Sequence, residues 1–175
     1  MFDKKSAIFL DRDGVINSVS KRKGLSPRLF SDFEILPNVK ETLELFKNFG
    51  YLNLVLTNQP DISRGLMDSS ELEKMCRLLK NQLPIDDIMI CTHDNEDNCS
   101  CRKPKPGMLF DLAIKWEIDL NKSFFIGDSI KDLLAAKEAN VSFIHIKHKY
   151  NKKIKNIKSV NSLIQTVELI LSKSK

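Results

Sequence analysis

Nothing in these 175 residues approaches the run of ~20 apolar residues needed to cross a bilayer, so no membrane-spanning segment is expected. The opening Met1-Phe2-Asp3-Lys4-Lys5-Ser6 carries an acid and lacks the apolar stretch of a secretory signal, which predicts a cytoplasmic protein. Only 4 cysteines are present, and in that compartment they are not expected to form disulfides. There is no internal repeat and no linker, so one domain over residues 1–175 is expected, long enough for a single core. Acidic residues are outnumbered, 23 against 28 basic, leaving a net charge of +5 and a pI near 9.0. Much of the excess sits in Lys147, Lys149, Lys152, Lys153, Lys155 and Lys158, with a second cluster at Lys21, Arg22, Lys23 and Arg28. The later run has no aromatic beyond Tyr150 and no base-reading motif, so it reads as a solvated loop rather than a nucleic-acid surface.

What is present begins with Ala7-Ile8-Phe9-Leu10-Asp11-Arg12-Asp13-Gly14-Val15, an apolar run ending in two aspartates one residue apart. It reads as a buried strand that delivers carboxylates to its own C-terminal tip, with both on one side by strand alternation. Two such carboxylates repel unless a cation lies between them, most simply Mg²⁺, which leaves one free as a nucleophile. Alone, the same residues could be an ordinary N-capping pair at a turn.

Taken in order, a polar loop over Asn17 to Asp32 leads to a helix begun at Leu36-Pro37-Asn38 and ended at Gly50. The pattern predicts strands over Tyr51–Leu56, Ile85–Ile90, Ser123–Ile126 and Val141–Ile146. Helices are expected from a Ser69 or Ser70 cap, over Pro106–Glu117, over Ile130–Ala139 and over Ser162–Leu171. This alternation implies an α/β Rossmann-like fold: a doubly wound parallel sheet with helices on both faces and a loop too short for a separate cap domain. Ligands of such sheets sit at the C-terminal strand ends, where Asp11, Asp13, Thr57 and Asp128 all fall.

The sequence Asp11-x-Asp13-Gly14, then Thr57-Asn58, then Lys103, then Gly127-Asp128 with Asp132 beyond, resembles the four motifs of the haloacid dehalogenase superfamily of phosphohydrolases, over about Ala7 to Ile146. The resemblance implies Asp11 as nucleophile, forming an aspartyl-phosphate, and Asp13 as proton shuttle. It implies Mg²⁺ held by Asp11, the Asp13 carbonyl and Asp128, with Thr57, Asn58 and Lys103 binding the phosphoryl oxygens. Asp132, one helical turn past Asp128, would support the metal's water.

Cys91-x-His93 and Cys99-x-Cys101 concentrate four soft ligands in one short segment. They suit a closed tetrahedral Zn²⁺ site, the alternative being buried or redox cysteines, while Cys76 fits an apolar helix face. Cys91-x-His93, Cys99-x-Cys101-Arg102-Lys103-Pro104 and Pro106-Gly107-Met108 resemble the zinc loop of the D-glycero-D-manno-heptose 1,7-bisphosphate 7-phosphatases. Thr57-Asn58-Gln59 leading to Ser63-Arg64-Gly65 is also more similar to these than to the related histidinol-phosphate phosphatases. The resemblance implies a phosphorylated sugar as substrate, with Gln59 and Arg102 joining Thr57, Asn58 and Lys103 in binding it. Ser129 departs from the lysine common in those enzymes, and the flap Ser18 to Arg28 is longer and more basic. The expected partner is thus a small molecule and the expected state a monomer. The alternatives are a histidinol-phosphate phosphatase or, outside enzymes, a zinc-stabilised nucleic-acid-binding module.

Overall fold

The structure is a computed structural model that describes residues 4–19, 26–151, 154 and 157–172. Lys21, Arg22, Lys23 and Leu25 of the flap, and Lys152, Lys153 and Lys155 of the basic run, lie outside the described residues.

Six parallel strands form one sheet: β1 (Ser6–Leu10), β2 (Tyr51–Asn58), β3 (Asp87–Cys91), β4 (Phe124–Gly127), β5 (Ser142–Ile146) and β6 (Ser159–Val160), in the spatial order β3-β2-β1-β4-β5-β6. The crossovers carry α1 (Val39–Asn48), α2 (Ser69–Gln82), α3 (Gly107–Trp116) and α4 (Ile130–Glu138), and α5 (Thr166–Leu171) follows β6. Alternation along β1 sends Ile8 and Leu10 to one core and Ala7 and Phe9 to the other. The first core receives Leu43 and Phe46 of α1, Leu72 and Met75 of α2 and Ile170 of α5; the second receives Met108, Leu109 and Leu112 of α3 and Ala135 and Ala136 of α4. Burial on both faces explains why β1 is a continuous apolar run rather than an alternating one. Among the described residues, no helix is long and apolar enough to cross a membrane.

Strand order reverses between β1 and β4, and Ile8, Phe9 and Leu10 pair with Phe124, Phe125 and Ile126 across that point. Asp11 and Asp128 are the first residues beyond these two strands, so the topology places them together.

The predicted elements are present with shifted boundaries. α2 is capped by Asp68, whose carboxylate accepts from the Ser70 N–H at 2.7 Å, and not by Ser69 or Ser70. The third strand starts at Asp87 rather than Ile85, because the Asp86 carboxylate instead accepts from the Asn53 N–H of β2. The last helix begins at Thr166 after a 3₁₀ turn over Leu163–Gln165. β6, two residues long beside β5, was too short to leave a periodic signal.

Candidate active site

At the β1 tip the Asp11 Oδ1 accepts from the Arg12 N–H at 2.7 Å and pairs with Lys103 Nζ at 2.8 Å. Lys103 also pairs with Asp132 at 2.6 Å and donates to the Leu56 carbonyl at 3.2 Å. The lysine is buried between two carboxylates; burial disfavours its charge, but Asp11 and Asp132 outweigh this and hold it above its ordinary range. Asn58 fixes the lysine backbone from both sides, its Nδ2 donating to the Lys103 carbonyl at 2.9 Å and its Oδ1 accepting from the Lys103 N–H at 3.1 Å. The Asn58 side chain therefore places the cation.

Asp11, Asp128 and Asp132 offer carboxylate oxygens within 4.8 Å of one another. Burial first, then the Asp132 charge, raises the Asp11 carboxyl well above its usual range, and the same two causes push Asp128 up to about 6. A donor set of hard oxygens that repel one another is one a divalent cation relieves, so the residues fit Mg²⁺ held by Asp11 and Asp128. Asp132 is committed otherwise: it pairs with Lys103, accepts from Ser129 Oγ at 2.6 Å and closes a capping box at the start of α4. Within the described residues its support of the cluster runs through Lys103. Ser129, at the position where lysine is common in the resembled enzymes, is that helix cap.

Asp13 occupies a different environment. Arg12, fully buried, donates from Nε and Nη2 to its carboxylate, both at 3.1 Å. Asn17, Ser26 and Gln59 donate at 2.9, 2.6 and 2.8 Å. Burial would raise the Asp13 carboxyl, but the guanidinium and these donors win and hold it below the usual range. Gln59, expected to bind substrate, is buried and spends its Nε2 on Asp13 and on Thr57 Oγ1. Arg12 was not singled out in the sequence; its only signal was a charged residue inside a buried strand tip.

Above the strand tips lies a cavity of about 390 Å³ lined by Asp11, Asp13, Ser26, Thr57, Asn58, Arg64, Arg102, Lys103, Asp128 and Lys131, among others. Arg102 is held by Asn95 Oδ1 at 2.9 Å and the His93 carbonyl at 3.0 Å, and Arg64 by Asp94. On Lys131, partial burial and the cations Arg102 and Arg64 outweigh the neighbouring Asp132 charge and lower its affinity for a proton. The wall opposite the carboxylates is thus cationic.

Arg102 and Lys103 follow directly on the second cluster, and Arg64 pairs with Asp94 of the same loop. The Cys91, Cys99 and Cys101 sulfurs lie 3.1–3.7 Å apart, and His93 Nδ1 lies 3.6 Å from Cys91 Sγ and 3.4 Å from Cys101 Sγ. Four thiolates on zinc at 2.3 Å would define tetrahedral edges of about 3.8 Å, close to this spacing. The four residues fit a closed zinc site with no position for water. A Cβ at Gly107 would collide with the Ser100 carbonyl, so glycine lets α3 start directly against this loop.

A family model described as Polynucleotide kinase 3 phosphatase matches residues 6–158. A Helicobacter pylori D-glycero-beta-D-manno-heptose-1,7-bisphosphate 7-phosphatase is 38% identical over 147 residues, covering 81% of this chain and 82% of its own. The chain belongs to this family of haloacid dehalogenase phosphatases. A Campylobacter jejuni D-glycero-alpha-D-manno-heptose-1,7-bisphosphate 7-phosphatase is 33% identical, covering 90% of this chain and 94% of its own. Among solved structures, a D,D-heptose 1,7-bisphosphate phosphatase from B. bronchiseptica, complexed with magnesium and phosphate, superposes with a TM-score of 0.83 at 27% identity, covering 96% of this chain and 99% of that one. Family membership makes the chain a phosphatase, and the cavity above Asp11 its candidate active site.

Proposed function

We propose that this phosphatase removes the 7-phosphate of D-glycero-D-manno-heptose 1,7-bisphosphate through an aspartyl-phosphate on Asp11. The observation that carries the reading is Lys103 Nζ, seated 2.8 Å from Asp11 at the switch point with Asp128 beside it and a cationic wall of Arg64, Arg102 and Lys131 opposite. One phosphate needs the first group; a second anionic group on the same substrate gives the wall a use.

Mg²⁺ held by the Asp11 and Asp128 carboxylates and the Asp13 main-chain carbonyl would neutralise phosphoryl charge and keep Asp11 ionised. Asp11 attacks phosphorus in line while Lys103 and the Thr57 and Asn58 donors hold the equatorial oxygens. Asp13 delivers a proton to the departing sugar oxygen and later accepts one from the hydrolytic water. As it stands, with Arg12 and three other donors around it, Asp13 is in its ionised form, suited to the second half. A phosphoryl dianion brought beside it raises its proton affinity and offsets Arg12, which equips it for the first.

Side-by-side kcat/KM for the two heptose bisphosphate anomers, the heptose 7-monophosphate and histidinol phosphate tests the assignment. Preference for a bisphosphate is expected; preference for histidinol phosphate refutes the substrate while leaving the phosphatase.

A further inference from the structure

The turn after β5 lies in the basic run that the sequence alone presents as solvated, yet its side chains reach the catalytic strand tips. His148 Nε2 donates to the Gly14 carbonyl at 2.6 Å, just beyond the β1 tip. Tyr150 Oη donates to Asp128 Oδ2 at 2.8 Å, just beyond the β4 tip. The two rings stack, with centroids 4.8 Å apart and planes 9° apart, so neither tether moves without the other. Asn151 adds a bond from Nδ2 to the Asp128 carbonyl at 2.8 Å, and its Oδ1 accepts from the His148 N–H at 3.0 Å, which closes the turn on itself. The approach is tight: a Cβ on Gly14, which has a φ of +80°, would collide with both the Tyr150 hydroxyl and the Asp128 carboxylate.

We infer that the turn His148–Asn151 is a clip across the two strand tips, and that Tyr150 is a positioning residue that orients the Asp128 carboxylate toward the divalent cation. The inference rests on the proposed role of Asp128 as a metal ligand. A free carboxylate rotates about its terminal torsion among broad minima. Tying Oδ2 to the tyrosine removes that freedom and presents the other oxygen to the site. His148 sets the height of the tyrosine above β1 through the stack and its bond to Gly14. Nothing in the core requires this hydroxyl, since Tyr150 is exposed and its ring packs on His148 rather than on the apolar clusters. Its chemistry is spent on one carboxylate.

Calorimetric titration of metal-free full-length protein with Mg²⁺ tests the inference without relying on turnover. Tyr150→Phe, which keeps the ring and the stack, is expected to weaken Mg²⁺ binding about tenfold, in the range found when partners of metal ligands are removed. The thermal midpoint of the metal-free protein and its zinc content should stay unchanged, and kcat should return toward wild type as Mg²⁺ is raised. Mg²⁺ affinity within twofold of wild type, or tighter, in Tyr150→Phe overturns the inference. Asp128→Asn separates the two readings: if it abolishes Mg²⁺ binding while Tyr150→Phe does not weaken it, only the positioning role fails. If Asp128→Asn binds Mg²⁺ like wild type, the metal-ligand reading fails and the clip falls with it.

Discussion

Among the described residues two clusters of side chains could hold a metal ion, and they are built in opposite ways. The carboxylates of Asp11 and Asp128 stand just beyond the tips of adjacent, hydrogen-bonded strands buried on both faces, so the sheet positions them whether or not a metal is bound. The thiolates and imidazole of Cys91, His93, Cys99 and Cys101 share only one strand residue, Cys91; the other three lie in a loop with mostly exposed neighbours. The first cluster is a product of the fold. The second, with zinc bound, would order its own loop, which leads into Lys103, the cation that compensates the first. The candidate chemistry thus sits on the scaffold, while the cation beside it hangs from a loop whose four ligands fit a metal.

Breaking the first cluster should remove catalysis without removing structure. Asp11→Asn is expected to lower kcat by on the order of 10⁴-fold or more, as loss of a nucleophile does, with zinc content at the wild-type level. The thermal midpoint of the metal-free protein should hold or rise, because the substitution deletes one of the repelling buried charges. Full activity on an aryl phosphate would refute the nucleophile assignment.

Breaking the second cluster should cost both. Cys101→Ser, or extraction of zinc by a strong chelator, is expected to release the loop and lower kcat/KM by about 10–100-fold, the usual consequence of disturbing what orients an active-site group. Limited proteolysis should then cut between residues 92 and 105, a region the zinc-loaded protein protects. Undiminished stoichiometric zinc in Cys101→Ser would disprove this ligand set.

Within the carboxylate region the comparison can be sharpened at Asp13, whose partner Arg12 is fully buried, lies over the Phe33 ring at 5.5 Å and reaches Met75 Sδ at 3.9 Å. Arg12→Met keeps most of the volume and leaves Asp13 without its counter-charge. A stability loss of about 3 kcal/mol is expected for a buried pair broken on one side, which corresponds to a thermal midpoint lower by roughly 6–12 °C in a chain of this size. A midpoint unchanged within error would show that Asn17, Ser26 and Gln59 suffice to hold the carboxylate.

How much of this was legible in the sequence follows the same division. Residues at strand tips were readable because a parallel sheet converts strand ends into one edge, so Asp11, Asp13, Thr57 and Asp128 could be gathered before any coordinates. Residues that act through a partner were not. Gln59 follows Thr57 and Asn58, which line the cavity, yet its own side chain is buried and spent on Asp13 and Thr57. Arg12 looks like a spacer between two aspartates, and Tyr150 like one aromatic in a lysine-rich stretch; what each does depends on long-range packing, across 63 positions to Met75 and 22 to Asp128. Local pattern carries no record of such distances.

The smallest expected effect concerns Lys131, and it tests whether the cationic wall recognises a second charge or merely raises the field over the first. Arg64 and Arg102 are engaged with Asp94 and the loop backbone, whereas at Lys131 the nearby cations outweigh the one acidic neighbour, Asp132. An exposed lysine of this kind contributes little to folding, so Lys131→Ala should leave the thermal midpoint within about 1–2 °C. If the wall holds the distal phosphate, the substitution raises KM for the bisphosphate about three- to tenfold, the size of one partly screened charge contact. KM for the heptose 7-monophosphate, which lacks that group, then stays where it was. An equal rise for both substrates would instead assign Lys131 to the reacting phosphate, and with it the wall would become part of the carboxylate site rather than its counterpart.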